Sequence, residues 1–308
     1  MKSSLPYFFV ITVLTMSLPG CNVESDKDVA VEAVGESGVY ESKSAKTAND
    51  EITLVSSSLN FPKGSRLKQS RQVELKHHGM TIKQGEDTIT GAAEIDYKET
   101  RDVEVMSSSI WKILISESSI KTSTTLRGQE PNASEIPGPL ANATVVRDGD
   151  RISMDGAIPT DEQKKALKSF QADWFGGNTL FPDKPVKMRS EWEVKPETLL
   201  EAIMGETFTN GSGKVTLLVN KVFTFDNQKT AEIGVSMRHI QGTMIDEDGG
   251  DTEVNLDAYG TLYRSLESLH TTRVEFKGNI SLSTKSPEAT VTFSGPFECR
   301  ANSDVTQP

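Results

Sequence analysis

"TEVNLDAYGTLYRSL", residues 252–266, decides the fold class. Val254, Leu256, Ala258 and Leu262 alternate with Asn255, Asp257 and Thr261. A period of two with one apolar face is the mark of a half-buried strand. The neighbouring stretches repeat it. In "AEIGVSMRHI" (231–240), Ala231, Ile233, Val235 and Met237 share a face opposite Glu232, Ser236 and Arg238. "TTRVEFKGNISLS" (271–283) puts Val274, Phe276, Ile280 and Leu282 on one side, "EATVTFSG" (288–295) does so with Ala289, Val291 and Phe293, and "KVTLLVNKVFTF" (214–225) adds another long run. Strands apolar on one face and polar on the other belong to antiparallel sheets. "FDNQKT" (225–230), "DEDGGD" (246–251) and "TKSPEA" (284–289) carry turn chemistry, while "GNIS" (278–281) reads as a bulge inside a strand.

The first half follows the same plan. Residues 65–78, 87–106 and 108–128 read as three long strands, with turns expected around Gly79, Gly85 and Ser107. Three long strands before the middle and about five after it suggest a duplicated layout. Alternation this long fits a strongly curved sheet coiled around helices.

Two helices are marked. "TDEQKKALKSFQADWFGG" (160–177) opens with Thr160 and Gln163 in capping-box spacing. It aligns Leu167, Phe170 and Trp174, and stops at Gly176 and Gly177. "KPETLLEAIMG" (195–205) places Pro196 in the first turn and stripes Leu199, Leu200, Ile203 and Met204 before Gly205. Residues 127–159 read as connection, with one short hairpin at Asp148-Gly149. The fold class expected is α+β, mainly antiparallel β. Long curved sheets pack on two short helices, with two similar β lobes in a half-barrel-like layout.

The head of the chain gives an address. Lys2 precedes an apolar run from Leu5 to Met16, too short for the ~20 residues that span a hydrocarbon core but fitting a secretory signal. Leu18-Pro19-Gly20-Cys21 resembles a bacterial lipobox. That resemblance implies a diacylglyceryl group on the Cys21 sulfur and signal cleavage after Gly20. Acyl chains would then anchor the protein to a membrane without a span. Asn22, where the family's sorting rules look for an aspartate, points to the outer membrane, on its periplasmic or surface face.

Between the helices lies "LFPDKPVKMRSEWEV" (180–194). It resembles the Leu-Pro-x-x-Pro-Val-x-x-Gly-x-x-Trp signature of an uncharacterised family of secreted bacterial lipoproteins. Pro182, Pro185, Val186 and Trp192 match, and Arg189 stands where the family prefers glycine. "YGTLYRSLESLHTTRVEFKGNISL" (259–282) is similar to that family's closing meander. The resemblance implies a β-rich, lipid-anchored domain with no established activity. Physically, Pro182 and Pro185 stiffen an extended segment, and Trp192 plugs a gap between helix and sheet.

The expected organisation is a signal over 1–20, an acidic disordered tether over 21–60, a β-rich domain over 61–299 and a flexible tail over 300–308. The domain divides into lobes 61–158 and 178–299, with a helix at 160–175 between them. The tether has eight acidic residues against three lysines, few aromatics and too little apolar surface to offset chain entropy, although "EITLVSS" has strand character. A net charge of −11 argues against nucleic acid as a partner.

The chain carries little recognisable chemistry. Of its two cysteines, Cys299 alone remains beside Cys21, so neither a disulfide framework nor a CxxC site can form, and a buried thiol is expected. His77 and His78 are adjacent and point to opposite faces of a strand. His239 falls in the apolar phase after Met237, as a core histidine would, and His270 sits in a turn. "IDEDGGD" (245–251) misses the EF-hand register. No metal, cofactor or catalytic residue is assigned. Leu167, Phe170, Trp174, Trp192, Leu199 and Ile203 are the candidates for an apolar pocket or core. The function expected is a lipid-anchored envelope protein, a non-catalytic binding or scaffold module that carries a lipid or meets an envelope protein. The alternative is an envelope hydrolase without a recognisable motif.

Overall fold

The computed structural model describes residues 51–55, 61–156, 158–168, 170, 179–204, 208–225, 228–245, 251–286 and 289–306, apart from the side chains of His77 and His78. The expectations for Cys21, Gly20, Trp174, the two histidine side chains and the acidic loop at 246–250 lie outside them.

Among the described residues, twelve strands make one antiparallel sheet. A first meander comprises β1 (Arg66–Gln84), β2 (Asp87–Val105) and β3 (Ile110–Leu126). Short strands follow: β4 (Asn132–Pro137), β5 (Thr144–Asp148) and β6 (Arg151–Met154). Helix α1 (Asp161–Lys168), β7 (Glu191–Val194) and helix α2 (Pro196–Met204) lead to the second meander. That meander runs β8 (Phe208–Phe225), β9 (Gln228–Ile245), β10 (Asp251–Ser265), β11 (Thr271–Lys285) and β12 (Thr290–Thr306).

The sheet order is β6-β5-β3-β2-β1-β12-β11-β10-β9-β8-β7, with β4 also on β3. The two meanders therefore join through the first and last long strands. Arg66 pairs with Thr306 and Lys83 with Thr290. The sheet is large and curved but does not close into a barrel. The order ends at the four-residue strands β6 and β7, of which β7 covers only Val215–Leu218 of β8, and β4 lies along the other half of β3.

Several details differ from the sequence reading. Gly79 is not a turn. β1 runs through it, and the pairing with β2 slips between Leu75 and His78, which moves the inward phase from Leu75 to Met80 and Ile82. Gly278 is not in a bulge either. β11 pairs through it without a slip against β12, and a Cβ there would lie 2.1 Å from the Asp257 carbonyl oxygen, so close strand approach demands glycine. The expected tail at 300–308 is strand as far as Thr306, where alternating Ala301 and Ser303 are buried. Within the stretch expected to be connection, β4 is a strand paired with β3. Residues 51–55, counted with the tether, lie in the core: Ile52 and Val186 exchange hydrogen bonds of 2.7 and 2.9 Å, and Leu54 is 1% exposed.

Both helix starts follow their sequence signals. The Thr160 N–H donates to Gln163 Oε1 (3.0 Å), and the Gln163 N–H donates to Thr160 Oγ1 (3.2 Å), closing the capping box. Pro196 opens α2, where its missing N–H has no helical partner to lose.

Candidate functional site

The inner face of the sheet carries two separate apolar clusters. The larger gathers residues of β1, β2 and β8–β12 around α2, with Leu199, Leu200, Ala202 and Ile203 all about 1% exposed. Burial on this scale contributes ~2 kcal/mol per large side chain. The polar side of α2 is tied down as well. Glu197 accepts from the Gly211 N–H at 2.9 Å, where a Cβ would strike the carboxylate. Trp192 plugs the margin of this cluster. It is half-buried, its indole N–H donates to the Leu180 carbonyl at 2.9 Å, and its ring centroid lies 6.5 Å from that of Phe181.

The smaller cluster comprises Phe61, Leu67, Val103, Val105, Trp111, Ile113, Ile115, Leu140, Ala143, Val145 and Ala166. Only Ala166 of α1 is buried. Leu167 and Phe170 pack against the cluster half-exposed. The six candidate apolar residues are thus distributed. Leu199, Ile203 and Trp192 belong to the larger cluster, Leu167 and Phe170 to the smaller, and Trp174 lies outside the described residues.

Between the clusters runs a feature that sequence reading missed. Two adjacent cross-strand rows on the inner face are polar: Arg71 opposite Glu99, and Gln69 between Arg101 and Ser303. Apolar rows flank them, Val73 with Cys299 on one side and Leu67 with Val103 and Val305 on the other. Glu99 (8% exposed) accepts from Arg101 Nε and from the Tyr97 hydroxyl, and the Arg101 guanidinium stacks on Phe170 at 4.3 Å. Burial, and then the Glu99 charge, hold the Tyr97 hydroxyl far above the usual phenol range. Burial also pushes the Cys299 thiol up to about 11, so it is protonated and inert. The signal was present, because Glu99 and Arg101 fall in the same phase as Ile95 and Val103.

Near one end of these rows, Arg264 is wholly buried. It donates from Nε to the Leu54 carbonyl at 2.7 Å and stacks on Phe181 at 4.1 Å. His270 is 2% exposed, with Nδ1 2.7 Å from Ser268 Oγ and its ring edge-on to Phe61. Among the described residues its Nε2 takes no hydrogen-bond partner. Burial, helped by the Arg264 charge, lowers its pKa to about 4. A serine–histidine contact invites comparison with a nucleophile and base. Here the imidazole is a feeble base, sealed from solvent, and the contact ties down the turn after β10.

His239 corrects another expectation. It is 89% exposed, with φ 50°, and its N–H donates to Asp257 Oδ1 at 2.6 Å. Slips in the pairing of β8 with β9 and of β9 with β10 insert a bulge that turns this residue outward and restores the inward phase at Ile240. Among the described residues, no group of three or more His, Cys, Asp or Glu side chains could hold a metal ion. No described helix is long and apolar enough to cross a membrane.

No protein-family model and no curated protein matches the chain. Among solved structures, an outer membrane channel from Pseudomonas putida F1 aligns over 81% of this chain and 98% of its own, with 6% identity and a TM-score of 0.20. That similarity is too low to transfer either fold or activity.

Proposed function

We propose that the chain is a lipid-anchored envelope protein, held by acyl groups on Cys21 and acting as a non-catalytic binding module for an apolar ligand. The observation that carries the reading is the unequal roofing of the inner face. The larger cluster is closed by α2, whereas the smaller lies under an eight-residue helix with Leu167 and Phe170 only half-buried. Ile158, 94% exposed, adds apolar surface just before that helix. A helix that buries one side chain can swing aside and let an acyl chain lie against Trp111, Ile113 and Val145. The lipobox resemblance and the family resemblance of residues 180–194 support the envelope address.

Mass spectrometry of the full chain extracted from membranes tests the carrier role, with co-eluting lipid expected. Clean, empty protein would overturn it. Palmitate labelling, expected to vanish in Cys21→Ser, tests the anchor separately.

A further inference from the structure

The outer face of the second meander holds a groove of about 390 Å³, within the ~300–1,000 Å³ range of small-molecule sites. Its form follows from the strand register. Leu218 lies opposite Gly234, and Thr216 opposite Ser236, which is opposite Tyr259. Gly234 contributes no side chain to the floor, and the Asn220 amide packs beside it. Tyr259, 68% exposed on the polar face of β10, stands as one wall, and Glu191 on the edge strand β7 lies across from it. The nearest atoms to a Cβ built on Gly234 would be those of the Asn220 amide, at 3.0–3.5 Å, so Asn220 stands beside the glycine at the groove's edge.

The lining also carries unspent hydrogen-bonding capacity. Among the described residues, the Arg238 guanidinium and the hydroxyls of Tyr259, Thr216 and Ser236 take no side-chain partner. Lys214, also at the groove, is neutralised by Glu193 at 2.8 Å. The local charge is then Arg238 against Glu191, close to balance, which disfavours a strongly anionic occupant. Tyr259 and Leu218 alone offer too little apolar surface for a hydrocarbon ligand. What remains is an exposed aromatic face for polarised C–H groups, a planar five-donor guanidinium, a carboxylate acceptor and two hydroxyls around the Gly234 floor. A sugar ring presents that complement: one C–H face and a rim of vicinal hydroxyls.

We infer that this groove binds a neutral oligosaccharide, with one ring stacked on Tyr259 and its hydroxyls shared between Arg238 and Glu191. The site lies on the opposite face of the sheet from the apolar clusters and stands independently of the carrier reading.

The test uses the full chain in a detergent with no sugar headgroup. Cellotetraose, maltotetraose and the N-acetylglucosamine tetramer serve as probes, read by saturation-transfer NMR and calorimetry. At least one should bind with Kd below ~1 mM. Tyr259→Ala should weaken it about tenfold and Arg238→Met several-fold, while Tyr259→Phe stays within about twofold. Tyr259 is exposed, so circular dichroism of the alanine variant should match the parent. Failure of all three probes at ~10 mM, or binding that Tyr259→Ala and Arg238→Met leave unchanged, would overturn the inference.

Discussion

The two apolar clusters share one sheet face yet are roofed differently. α2 buries Leu199, Leu200, Ala202, Ile203 and Met204, and its Glu197 binds the start of β8. α1 buries Ala166 alone, and its capping box closes its first turn. One helix is part of the core, and the other is laid upon it. The difference teaches that a capped, amphipathic helix becomes a wedge or a cover according to how many apolar side chains it carries. The deciding factor is the helix's own apolar content: Leu199, Leu200, Ala202, Ile203 and Met204 in α2 against Ala166 and Leu167 in α1.

Four experiments would break or sharpen that contrast. The polar rows should matter most, because they keep the clusters apart. Glu99→Gln removes the carboxylate that Arg101 and Tyr97 share, and should lower unfolding free energy by about 4 kcal/mol in urea titration. Next, Ile203→Ala should cost about 3 kcal/mol and Leu167→Ala about 1, since only the first opens a sealed cavity. Equal losses would erase the distinction between wedge and cover.

The third experiment concerns the buried imidazole. The folded pKa of His270 is lowered from 6.5 to about 4, so its neutral form is favoured in the native state. Its contribution is fully present above pH 6.5 and is lost as pH falls toward 4. His270→Phe should therefore flatten the decline in urea midpoint across that window. The smallest effect is expected at Arg189, whose φ of 63° lies in the left-handed region that glycine adopts most readily. Arg189→Gly should raise stability by about 0.5–1 kcal/mol, the relief of a left-handed residue less the entropy of glycine.

Much of this architecture was legible. Alternation in "TEVNLDAYGTLYRSL" and its neighbours identified the long strands, because a one-residue period error would turn every apolar side chain outward. The capping box of α1 and the proline of α2 marked their starts. What escaped were features that depend on partners distant in sequence. β4 is six residues long, ends in proline and buries none of its side chains, so only pairing with β3 reveals it as a strand. Ile52 and Leu54 sit among acidic residues that speak for solvent, and only Val186 and Arg264 bring them inside. His239 obeyed the local alternation and was wrong because the bulge is set by β8 and β10. The candidate site was legible only in part. Leu199 and Ile203 announced their burial, but a tyrosine in the polar phase of β10 and a glycine on the neighbouring strand β9 form a groove only once the register is known.

The route by which the leading segment joins the body has a mechanical consequence. Ile52 is stitched to Val186, and the carbonyl of Leu54 is gripped by a wholly buried arginine. Tension arriving along the chain from its amino-terminal side is therefore delivered to the interior beneath α2, bypassing the sheet's rim. Those few bonds lie in series ahead of twelve strands, so under load the first element to yield would be this seam, with the strands behind it still paired.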